Sequence, residues 1–157
     1  MSITTDAVCD LMMRLLREND NSDNAFDDSF WIGKLLANLG KLSNFRSMSD
    51  IALELLRQFN LDHIGKFSPQ YAVTKGAIKG YFNMRKQIFH FKQSLLPNLE
   101  TRFNNEFNVF QEQIQEAEAA LDRMGSALEG ILHNQSWPLE VRVFIFDKKV
   151  KNLFMYS

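Results

Sequence analysis

Three histidines (His63, His90 and His133) and one cysteine (Cys9) are the side chains of this 157-residue chain best suited to metal binding or nucleophilic catalysis. The histidines lie far apart and form no pair at helical spacing. No His-Glu-x-x-His zinc-peptidase motif is present. Cys9 follows Val8 and has no histidine nearby, so it reads as an inert, partly buried thiol. A lone cysteine also excludes an internal disulfide or a Cys-rich zinc module. There is no phosphate loop and no dinucleotide fingerprint, and Gly76 and Gly80 sit inside a helical pattern. Asp20-x-Ser22-x-Asn24 opens like a calcium loop. Its sixth position, where the turn needs Gly, is Ala25, and its twelfth, where a bidentate Glu belongs, is Trp31. We therefore expect no catalytic residue, no metal and no cofactor.

Charge offers a second kind of chemistry. The net charge is −1, but it is spread unevenly. Residues 1–30 carry seven acids and two bases, and residues 31–103 carry four acids and eleven bases. Residues 104–129 carry six acids and one base, Arg123, and residues 130–157 carry two acids and four bases. Such alternation fits internal pairing or solvated faces, with a basic surface for nucleic acid or an acidic partner as the alternative. Lys75, Lys79 and Lys86 fall on one stripe of a predicted helix and are the candidate contacts for DNA or an acidic partner. Without interleaved exposed aromatics they predict weak, sequence-blind contact rather than base readout.

These side chains must be carried on helices. With 14 Phe, 2 Trp and 3 Tyr the chain has ample apolar surface, which rules out disorder throughout. No apolar run approaches the roughly 18 residues a membrane-spanning helix needs. Met1 to Asp10 has neither a basic head nor an apolar core, so no signal peptide is expected. Val8, Leu11, Met12, Leu15 and Leu16 share one face of a first helix. It should end in a turn held by Asn19, Asp20, Asn21 and Asn24, whose side chains compete for local backbone groups. A second helix is predicted from Asp27 as N-cap, with Phe26 and Trp31 as a hydrophobic staple and Gly40 as its stop. A third runs from an approximate capping box, Ser47 with Asp50, through Ile51, Leu55 and Phe59, and Asn60 ends it. A fourth starts at Ser68-Pro69 and buries Val73, Ala77, Tyr81, Met84, Ile88, Phe91 and Leu95. Pro97 should break or kink it, and the helices on either side should fold back as a hairpin.

The fifth predicted helix has the strongest pattern. Phe107, Phe110, Ile114, Ala117, Leu121, Met124, Leu128 and Ile131 step alternately by three and four, a heptad sustained over more than three repeats. Core packing in a bundle is preferred to a free dimeric coiled coil, because the phenylalanines are bulky for a tight seam. In the tail, Val141, Val143 and Ile145 alternate with Arg142, Phe144 and Phe146. That favours a small β-hairpin turning at Asp147-Lys148-Lys149, with a helix from Pro138 as the competing reading. The predicted class is mainly α: HEAT-like antiparallel helices over residues 1–96, a long heptad helix over 97–133 packed back on them, and a hairpin or helix over 134–157.

The stretch Leu15-Leu16-Arg17-Glu18-Asn19-Asp20-Asn21-Ser22-Asp23-Asn24-Ala25-Phe26-Asp27-Asp28-Ser29-Phe30-Trp31, running into Lys34-Leu35-Leu36-Ala37-Asn38-Leu39-Gly40, resembles a segment of the second-largest subunit of the general transcription factor TFIID. That family comprises TATA-binding-protein-associated factors with an aminopeptidase-like body. A fainter likeness continues at Phe67-Ser68-Pro69-Gln70-Tyr71. The resemblance spans roughly residues 7–82. It implies a piece of a C-terminal array of HEAT-like repeats, in a nuclear, non-catalytic scaffold that binds other TFIID subunits and touches promoter DNA weakly. No membrane and no small-molecule ligand are expected. Two alternatives stay open: a coiled-coil adaptor working through residues 98–132, and an inactive remnant of an aminopeptidase's C-terminal helical domain.

Overall fold

A computed structural model describes residues 25–64, 68–102 and 104–155. The predicted first helix, with Asn19, Asp20, Asn21 and Asn24, lies outside them. Five α-helices are described: α1 (Ala25–Gln58), α2 (Pro69–His90), α3 (Leu96–Arg102), α4 (Asn104–Leu132) and α5 (Leu139–Met155). A π turn, Phe91–Leu95, joins α2 to α3 in one rod, and a 3-10 turn, Leu61–His63, follows α1. No strand occurs among the described residues.

The rods run alternately up and down. Arg46 and Asp50 of α1 meet Glu116 and Arg123 of α4, so those two helices are parallel. Lys92, just after α2, meets Glu118 at 2.6 Å, which sets the α2–α3 rod antiparallel to α4. Lys149 of α5 reaches back to Glu129 near the end of α4. The α2–α3 rod and α4 form the central pair, with α1 on one side of it and α5 on the other. One core cluster gathers Leu35, Leu39, Leu42, Ile88, Leu99, Phe110 and Ile114. The second gathers Leu56, Ile78, Phe82, Met124, Leu128, Trp137 and Ile145. Tyr81 packs against both.

Several predicted boundaries move. The second and third predicted helices are one 34-residue helix. Gly40 sits inside it, exposed, and no glycine among the described residues has a positive φ, so it makes no left-handed stop. A mid-helix glycine costs about 1 kcal/mol relative to alanine. The buried row Leu35, Leu39, Leu42, Ser49, Leu56 keeps its phase straight through Gly40 and outweighs that cost. The capping box at Ser47 therefore begins nothing. Asp27 likewise falls within α1, already helical at Ala25, and is not its N-cap; Phe26 and Trp31 lie in the same helix.

Ser68 does cap α2, its Oγ accepting from the Tyr71 N–H at 3.1 Å with Pro69 in the first turn. Asn60 caps the 3-10 turn through Asp62 N–H. Pro97 neither breaks nor sharply ends its rod. Proline lacks an N–H and would crowd the carbonyl four residues back. The π turn just before it, closed by Leu96 N–H on the Phe91 carbonyl, widens the backbone there and accommodates the ring. The chain reverses after α3 instead. The predicted β-hairpin is the helix α5. Alternation was ambiguous there because both sides of α5 are apolar. Trp137, 6% exposed, anchors the entry, and the Pro138 carbonyl accepts from Val141 and Arg142 to start the first turn.

Candidate functional site

The predicted heptad row of α4 is buried from Phe110 to Ile131, with Phe107 half-buried, as core packing requires. A second row, Glu106, Gln113 and Ala120, is also buried. It was missed because its polar members hide it. At this interface Arg46 of α1 pairs with Glu116 at 2.7 Å and donates to Gln113 Oε1 at 3.0 Å, while Gln113 donates to Glu116. A buried polar group is tolerated when it is bonded in this way.

On α2 the predicted face is half right. Met84, Ile88, Phe91 and Leu95 are buried, whereas Val73, Ala77 and Tyr81 are only half-buried. Thr74, Ile78 and Phe82 take the buried positions in the first half because α5 covers that side. The Thr74 hydroxyl donates to the Gln70 carbonyl at 2.8 Å, so the buried Thr74 side chain is satisfied.

This arrangement divides the lysine stripe. Lys79 and Lys86 are exposed. Lys75 is half-buried, its Nζ 5.2 Å from the centre of the Phe144 ring of α5 and 5.6 Å from that of Tyr71. Lys148 approaches the Phe144 ring as well, at 5.6 Å. Lys75 therefore serves a cation–π contact at the α2–α5 seam, and the stripe open to a partner is reduced to Lys79 and Lys86.

The most distinctive surface is apolar. Met48, Ile51 and Leu55 follow one another along α1 and are exposed, Met48 by 63% and Ile51 by 55%. Opposite them on α2 stand Val73, Gly76 and Gly80, and between the helices runs a groove of about 350 Å³. A Cβ at Gly76 or Gly80 would meet no atom within 4 Å, so the missing side chains leave open space there. The sequence places Ile51 and Leu55 on a helix, but their spacing alone does not say which helix face is covered. Nor does it show that two exposed glycines facing the groove leave this side of α1 uncovered.

No group of three or more His, Cys, Asp or Glu side chains among the described residues is arranged to hold a metal ion. No described helix is long and apolar enough to cross a membrane. The bond from Lys149 holds the Glu129 carboxyl below its ordinary value of 4.5, against an opposing effect of burial. Compared with known proteins, the chain matches no protein-family model, no curated protein and no solved structure.

Proposed function

We propose that the chain is a non-catalytic helical scaffold that binds other proteins through the open groove between α1 and α2. The observation that carries this reading is the row Met48, Ile51, Leu55 exposed beside Gly76 and Gly80. An apolar trough between two helices, floored by glycine, suits the apolar face of an amphipathic partner helix. Exposed apolar rows of this kind are uncommon on surfaces without a partner.

The narrower proposal is that the partners are other TFIID subunits and the compartment the nucleus, with the helices stacked in a HEAT-like manner. It is supported by the likeness of residues 15–40 to the second-largest TFIID subunit. Weak contact with promoter DNA through Lys79 and Lys86 is a lesser part of it. Affinity purification of the tagged chain from nuclear extract tests the reading. Recovery of several TFIID subunits with the wild-type chain, and their loss with Ile51→Asp, is the expected result. Recovery that Ile51→Asp leaves intact removes the groove from the account. Absence of every TFIID subunit removes the narrower proposal.

A further inference from the structure

The outward side of α5 repeats the pattern on a second surface. Leu139, Val143, Phe146, Val150 and Leu153 step by four, three, four and three, and at 100° per residue they fall within about 80° of arc. Leu139 is 64% exposed, Val143 46%, Phe146 57% and Leu153 70%, with Val150 half-buried between them. The opposite side of the same helix, Val141, Ile145 and Asn152, is buried against the bundle. An amphipathic helix with one partner needs one apolar stripe. This one has two, and only the inner one is used.

The residue types along the outer stripe name its occupant. Read as a heptad, the positions alternate Leu139 (d), Val143 (a), Phe146 (d), Val150 (a), Leu153 (d). The β-branched residues at both a positions and Leu at the two outer d positions follow the pattern of two parallel strands, with the bulkier Phe146 at the central d making the seam wider than an all-Leu one. The flanking charges agree. Glu140 and Asp147 border the stripe on one edge, and Arg142 and Lys149 on the other. In a parallel, in-register pair, Arg142 of one chain faces Asp147 of its mate across the seam. In an antiparallel pair centred on Phe146 the two Asp147 side chains meet, which is repulsive, while Lys149 is already compensated by Glu129 of its own chain.

We propose that α5 is a homodimerisation helix, binding the α5 of a second copy of this chain in parallel through Leu139, Val143, Phe146, Val150 and Leu153. The stripe is short for an isolated coiled coil, whose helices must form as they pair. Here the helix is already held by its inner side, so that cost is not levied on association. At 17 residues the helix is about 25 Å long. The contact therefore belongs to the small, reversible class of interfaces. This surface lies on the opposite side of the central helix pair from the α1–α2 groove and does not depend on what fills that groove.

Sedimentation velocity of the full chain over a hundredfold concentration range tests the proposal. A reversible monomer–dimer equilibrium is expected, and Phe146→Asp should weaken it by about tenfold or more while the circular dichroism spectrum stays unchanged. Orientation is read separately with Leu153→Cys in a Cys9→Ser background. Oxidation should link two chains through residue 153, which a parallel pair brings together and an antiparallel pair holds about 20 Å apart. A chain that stays monomeric throughout, a dimer indifferent to Phe146→Asp, or a dimer that fails to cross-link at residue 153 would each overturn the proposal.

Discussion

The two ends of the bundle use the same materials differently. Around Phe110 and Leu99, three rods meet and their apolar residues face inward. Around Met124 and Ile145 a further rod, α5, joins, yet this end carries large exposed apolar side chains: Met48, Ile51 and Leu55 on α1, and Leu139, Val143, Phe146 and Leu153 on α5. The difference teaches that adding a helix does not by itself close a core. At the first end the clustered apolar residues are enclosed by the rods. At the second, apolar side chains remain outside the core, set out in two rows at helical spacing. Random excess would be scattered. Rows are what a partner helix can read.

The largest effect is expected at the core end. Phe110 is fully buried and packs edge-on against Phe91, with ring centres 5.9 Å apart. Phe110→Ala should destabilise the chain by about 3–5 kcal/mol, measured by urea unfolding, while dimerisation of the fraction that remains folded is unaffected. A loss below about 1 kcal/mol would mean that this end is not the packed core described here.

Next comes the polar network at the same end. Arg46 is largely buried and joins α1 to Glu116 and Gln113 of α4. Arg46→Ala leaves a carboxylate and an amide in a partly desolvated seam, at a cost of about 1–3 kcal/mol. Thermal melting of Arg46→Ala and of the double variant Arg46→Ala/Glu116→Ala sharpens this. The double variant should recover part of the loss, because it no longer strands the carboxylate.

How much of this was legible beforehand depended on how many partners each helix has. The row on α4 was readable because a continuous seam faces one rod over most of its length. Ser68-Pro69 was readable because capping is local chemistry. The helical glycines misled in opposite ways. Gly40 looked like a stop although the apolar phase runs unbroken through it, and Gly76 and Gly80 looked merely helical although they open the groove. On α2, two partners on different sides shift the buried face from Thr74, Ile78 and Phe82 to Met84 and Ile88, which no single period captures. On α5, apolar residues on both sides erased the helical signal and mimicked a strand. The features hardest to read, α5 and the α1–α2 groove, are those where apolar residues do not serve the core.

A smaller effect is expected at the other end. Glu129 accepts from Lys149 and lies 3.3 Å from His133, at a site nearly half exposed. Exposed pairs of this kind contribute under about 1 kcal/mol. Because the carboxyl is held below its ordinary 4.5 in the folded chain, its contribution is complete above that value and is lost as pH falls through the lowered folded value. The stability difference between wild type and Glu129→Gln should therefore be small near neutrality and vanish in acid. A difference that grows as pH falls would contradict the assignment.

On the proposed function and dimer, the exposed rows serve association and not folding. Urea unfolding of a chain carrying Met48→Gln, Ile51→Gln, Leu139→Gln and Phe146→Gln together, at a concentration low enough to keep it monomeric, tests this most directly. The account predicts a folding free energy within about 1 kcal/mol of wild type, as for ordinary surface substitutions. A loss of several kcal/mol, on the scale of Phe110→Ala, would show that these side chains belong to the core and would contradict it.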